Sequence, residues 1–108
     1  MKINKLLQLG DVLSHVDDYP DDFALFLPLG EKPWNERTRA MVLDNDEDGS
    51  RSEAKEHGLE YALGVYAVQD IAANAREQDP NANAATLLKA FLFYYKHDAF
   101  IDLNSPGQ

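Results

Sequence analysis

The hydrophobic patterning predicts an α+β fold, a small antiparallel sheet of about three strands packed with about three or four helices. Three observations carry that expectation. Apolar side chains recur at helical spacing near both ends, through Leu6, Leu9 and Leu13 and through Leu87, Leu88, Phe91, Leu92 and Tyr95. Between them lie runs of strand length bounded by Pro, Gly, Asp and Asn. The connections are short, which favours antiparallel neighbours over parallel crossovers, with the helices on one face of the sheet.

In chain order, the first helix is expected from Asn4 to His15 or Val16, with Asn4 as its N-cap. Gly10 inside it costs about 1 kcal/mol relative to alanine. The polar cluster from Asp17 to Asp22, with Pro20 at its centre, stops that helix. Phe23 to Leu29 then reads as a strand covered on both faces, because its apolar run is continuous. Gly30 to Trp34 is a loop holding the single tryptophan, and Thr38 to Leu43 is a second, shorter strand. Asp44 to Arg51 is an acidic loop, followed by a turn of helix from Glu53 to His57 that Gly58 ends.

Leu59 to Tyr66 reads as a third strand, with Leu59, Tyr61, Leu63 and Val65 on one face and Glu60, Ala62, Gly64 and Tyr66 on the other. Helical spacing returns from Val68 to Gln78, Asp79-Pro80 breaks it, and Asn83 caps a final helix from Ala84 to Phe100. From Ala90 to Tyr95 that last helix is apolar or aromatic nearly all round. One stripe is enough to bury one side, so the segment is expected to be sandwiched inside the domain or half covered by a partner. Residues 104–108 are expected to fray.

The 108 residues make one domain, 1–108, with no repeat, linker or low-complexity tract to divide it. Absence of cysteine excludes disulfides, thiolate zinc sites and a cysteine nucleophile. No apolar stretch approaches the about 20 residues of a membrane span, and the N-terminal stretch lacks the apolar core of a signal peptide. Cytoplasmic residence is the expectation. The net charge of −9, from 19 acidic against 10 basic residues, disfavours direct binding to nucleic acid or anionic membranes. It suits a basic protein partner.

No catalytic or metal-binding constellation stands out. Asp44-Asn45-Asp46-Glu47-Asp48-Gly49 begins like an EF-hand calcium loop. The pattern then fails, because Lys55 stands where the bidentate glutamate belongs and Arg51 where an aliphatic residue belongs. His15, His57 and His97 are isolated, each near the C-terminus of an expected helix, where imidazolium complements the helix dipole. The glycines are too dispersed to cradle a phosphate, and no nucleophile elbow is present. The expectation is a protein that is not an enzyme and uses no metal and no cofactor.

The acidic residues read better as surface. Asp17, Asp18, Asp21 and Asp22 precede the first strand, and Asp44, Asp46, Glu47 and Asp48 follow the second. If those strands form a hairpin, both clusters fall at one end of the sheet and steer a cationic partner. Trp34 is either a core filler, its commoner role, or an interface anchor. These nine residues are the partner-binding candidates.

Several stretches together resemble a small bacterial family across Leu6 to Leu103. They are Leu25-Phe26-Leu27-Pro28 with Trp34, Met41-Val42-Leu43-Asp44, and Gly58-Leu59-Glu60-Tyr61-Ala62-Leu63. Val68-Gln69-Asp70-Ile71, Asn74-Ala75-Arg76 and the ending from Ala90 to Ile101 complete the likeness. Some members are immunity proteins encoded beside toxins of contact-dependent growth inhibition systems. The resemblance implies an immunity protein that neutralises a cognate toxin, a basic nuclease, by blocking its active-site cleft. It brings no catalytic residue with it. The alternative is an acidic interaction or homo-oligomerising domain that makes contact through Phe91 to Tyr95.

Overall fold

The computed structural model describes residues 6–45 and 49–103. The expected frayed tail at 104–108, and Asp46, Glu47 and Asp48 of the acidic loop, lie outside the described residues. A four-stranded antiparallel sheet forms in the order β1-β3-β2-β4. Its strands are β1 (Leu7–Gln8), β2 (Phe23–Leu27), β3 (Arg39–Asp44) and β4 (Glu60–Gly64). The helices are α1 (Leu9–Ser14), α2 (Ser50–Glu56), α3 (Val65–Gln78) and α4 (Ala84–His97), with a 3₁₀ turn at Val16–Asp18. The α+β expectation holds, with one strand more than foreseen.

The extra strand takes the place of residues 7–8 of the expected first helix, whose expected N-cap, Asn4, lies outside the described residues. Leu7 pairs with Ala40 and Gln8 with Arg39. The Leu9 amide donates to the Thr38 carbonyl at 2.8 Å and the Gly10 amide to that of Glu36 at 2.9 Å. These bonds hold the chain against the 36–40 segment before α1 begins. A Cβ on Gly10 would lie 2.9 Å from the Glu36 Cβ, so glycine permits the close approach that helical spacing alone does not announce.

The sheet is covered on both faces, which corrects the expectation of helices on one face only. Leu25, Leu27, Ala40 and Val42 point into the larger core under α1, α3 and α4. Ala24, Phe26, Met41, Leu43 and Leu59 form a smaller core with Ala54 of α2. Strict alternation along β4 also breaks. Leu25 pairs with Leu63 but Phe26 with Tyr61, so Ala62 is an extra residue at an irregularity. Tyr61 therefore joins the smaller core, while Ala62 and Leu63 both turn to the larger one.

Helix α4 begins as expected, with the Asn83 Oδ1 accepting from the Thr86 amide at 3.0 Å. It ends three residues early, at His97, because Asp98 adopts a left-handed conformation at φ 54°. Helix α3 begins at Val65, inside the expected third strand. Its Gln69 side chain donates to the Val16 and Tyr19 carbonyls at 3.1 and 3.0 Å, tying the 3₁₀ turn down. Gln78 holds the chain beyond α4, donating to the Ile101 carbonyl at 2.8 Å and accepting from the Leu103 amide at 2.8 Å. Among the described residues no helix is long and apolar enough to cross a membrane.

Candidate docking surface

Strand register decides where the acidic residues meet. Phe23, the first residue of β2, lies opposite Asp44, the last of β3, and Ala24 lies opposite Gly64, the last of β4. The Asp17–Asp22 segment and Asp44 therefore share one end of the sheet, as the hairpin expectation requires. Asp17, Asp18, Asp21 and Asp22 are exposed there, and Asp44 is half-buried. Short hydrogen-bonded turns fix the segment: Asp18 N–H donates to the His15 carbonyl and Phe23 N–H to that of Pro20. Asp17 alone of the four makes an ion pair among the described residues, to Arg76 at 3.5 Å. That pair is exposed enough to contribute little stability.

The same end carries a residue that sequence reasoning left on the outer side of a strand. Tyr66, the second residue of α3, is 61% exposed, the most open large hydrophobic side chain described. Its amide donates to the Asp21 carbonyl at 3.2 Å, which places it beside the acidic turn. Gly64 makes room for the ring, since a Cβ there would lie 2.6 Å from Tyr66 Cε1. Asp70, also exposed, follows one helical turn later on the same face. The one sign of this residue in the sequence was an aromatic on the polar side of an alternating run.

Tyr19 closes the inner side of this end. Burial raises its phenol pKa above the ordinary value of 10.0, and the nearby charges of Asp18 and Asp11 push it the same way. Its phenol therefore keeps its proton to higher pH than a free tyrosine does. The Asp44 carbonyl accepts from the Ser50 hydroxyl at 2.6 Å, which joins the end of β3 to the start of α2. Strand, acidic loop and short helix follow one another here, where a calcium loop of the EF-hand kind needs a helix on each side. Among the described residues no group of His, Asp and Glu is placed to hold a metal.

Trp34 does not belong to this end. It is 4% exposed, and its indole N–H donates at 3.0 Å to the carbonyl of Pro28, just beyond the opposite end of β2. Its ring packs against Phe91 and Tyr95, with centroids 6.1 and 4.9 Å away. The core-filling alternative describes it, and as an anchor beside the acidic clusters it is set aside. The same contacts account for the aromatic band of α4: Phe91 is wholly buried, and Leu92, Phe93, Tyr94 and Tyr95 are half-buried against the larger core. The centre of that band is core, and the exposed Phe100 packs at a tilt against Tyr94, ring centroids 5.5 Å apart.

The histidines sit where helix-end residues are expected. His15 and His57 are the C-caps of α1 and α2, and His97 is the last residue of α4 with its ring against Phe93.

Residues 6–103 match the family described as Domain of unknown function (DUF7716). The chain belongs to that family. No curated protein and no solved structure matches it. The family description names no activity and no link to growth inhibition, so no residue role passes to this DUF7716 domain from its relatives. What its acidic end does must be argued from geometry.

Proposed function

We propose that this DUF7716 domain is a binding protein that neutralises a basic protein partner by seating its acidic end in the partner's anion-binding cleft. One observation carries the reading. An exposed tyrosine stands among exposed carboxylates on short, hydrogen-bonded turns at a single end of the sheet. Carboxylates of Asp18, Asp21, Asp22 and Asp70 stand in for phosphates and raise the encounter rate with a cationic surface. Tyr66 supplies the large, rigid, amphipathic contact that slows dissociation. The partner that the immunity-family resemblance implies is a nuclease toxin of a contact-dependent growth inhibition system, whose cleft is basic because it binds phosphates. Blocking such a cleft takes no cofactor and no catalytic group.

The test is co-expression with the toxic product of the neighbouring gene, followed by binding kinetics on the purified pair. Rescue of growth is expected, with an association rate that falls about tenfold or more as salt rises from low to several hundred millimolar. A salt-independent association rate would remove the acidic end as the docking surface. Failure to protect against the neighbouring product would remove the immunity reading.

A further inference from the structure

The other end of β2 is built differently. Trp34, Pro33, Leu92 and Tyr95 line an open, groove-like cavity of about 620 Å³, with the lysines Lys32 and Lys96 at its margin. The Lys32 ammonium lies 5.2 Å from the Trp34 ring centroid and 5.1 Å from that of Tyr95. Cation–π attraction holds this side chain folded over the aromatic floor. The neighbouring carboxylate does not compete for it, because Glu31 is committed to Arg39 at 2.6 Å. Among the described residues neither Lys32 nor Lys96 forms an ion pair. A lysine in the last turn of a helix is ordinary, and Lys96 alone would carry no inference. Two unpaired ammonium groups on one apolar cavity of a chain with net charge −9 are a local reversal of the whole.

From this geometry we infer that the cavity between the 32–34 loop and the end of α4 binds a small apolar or aromatic carboxylate. The ligand's body lies against Pro33, Leu92 and the half-buried Tyr95, beside the buried Trp34, and its carboxylate meets Lys32 and Lys96. The volume lies within the range of about 300 to 1,000 Å³ usual for small-molecule sites. The acidic end does not repel the anion effectively. β2 has five residues, about 17 Å at about 3.3 Å each, and that distance is roughly two Debye lengths at physiological salt. The site is independent of the docking surface and of its partner.

Trp34 is the single tryptophan, so its emission reports the site directly. Titration of the intact chain with 4-phenylbutyrate is expected to give a saturable change in that emission. The neutral 4-phenylbutyramide should bind about tenfold more weakly, and Lys32→Met and Lys96→Met should each weaken the acid by about fivefold, provided both variants melt like the parent. Amide NMR shifts on saturation should centre on residues 32–34 and 92–96. Equal binding of acid and amide, absence of a saturable change, or shifts centred on a second groove, which Phe26, Leu29, Arg51 and Tyr61 line on the α2 side of the sheet, would each overturn the assignment.

Discussion

The two ends of β2 carry opposite designs on one sheet. At its start, charge is outermost: carboxylates on short turns surround an exposed tyrosine, and the core begins behind them. At its far end, Lys32 lies over the rings of a buried Trp34 and a half-buried Tyr95, and Lys96 stands at the same groove. Both ends combine aromatic and ionic groups, yet only one aromatic is available to a large partner. Tyr66 is 61% exposed and Trp34 is 4% exposed, so the first is free to be an anchor and the second is a floor. What separates an interface residue from a core residue is therefore the neighbour that covers it, not the residue type.

The largest effect expected from this contrast is on stability. Trp34→Ala should cost about 3 to 5 kcal/mol in chemical denaturation, because it removes a buried ring and a satisfied indole N–H. Tyr66→Ala should change stability by about 0.5 kcal/mol or less, as surface substitutions do. Equal losses at the two positions would erase the distinction between the ends.

Binding should show the reverse order. Replacing Asp18, Asp21 and Asp22 by lysine should weaken docking of the basic partner about a hundredfold in calorimetry, mostly through association, with the melting profile retained. Tyr66→Ala should weaken it by about 2 kcal/mol, chiefly through faster dissociation. Neither change should touch the Trp34 emission response to 4-phenylbutyrate, and a loss there would mean that the two ends are coupled.

The asymmetry also explains what the sequence could and could not reveal. The acidic end was legible because Asp17, Asp18, Asp21 and Asp22 are nearly contiguous and a hairpin brings Asp44 to them. Tyr66 was not, since the patterning ran on to it as part of a strand whereas β4 stops at Gly64 and α3 starts at Val65. The lysine-aromatic cavity joins residues 32–34 to residues 92–96, and no local spacing announces a pairing between segments so far apart. β2, β3 and α4 were legible because β2 and β3 are continuous apolar runs of strand length and α4 keeps helical spacing, each with clear stops. β1 was hidden because two residues leave no period to read, and cross-strand bonds to Thr38 and Glu36 decide its conformation.

The smallest effect lies in the alkaline limb of stability. Burial of Tyr19, with the charges of Asp18 and Asp11, raises its folded pKa above 10.0. Below pH 10.0 both folded and unfolded phenols keep their protons, and the contribution is intact. Above it the unfolded phenol ionises first, so stability falls as pH rises through the folded pKa. Tyr19→Phe should remove that part of the loss in urea unfolding across this range. An unchanged alkaline slope would mean that neither burial nor the charges of Asp18 and Asp11 shift the Tyr19 phenol.

The account's central claim is that the acidic end is the docking surface. Growth protection against the toxin that the proposal requires, sought among the products of the neighbouring genes and compared between the parent chain and its Asp18→Lys, Asp21→Lys, Asp22→Lys variant, tests it most directly. Protection by the parent and none by the equally folded variant is the predicted result. Equal protection by both would contradict the claim and move the docking surface elsewhere on the molecule.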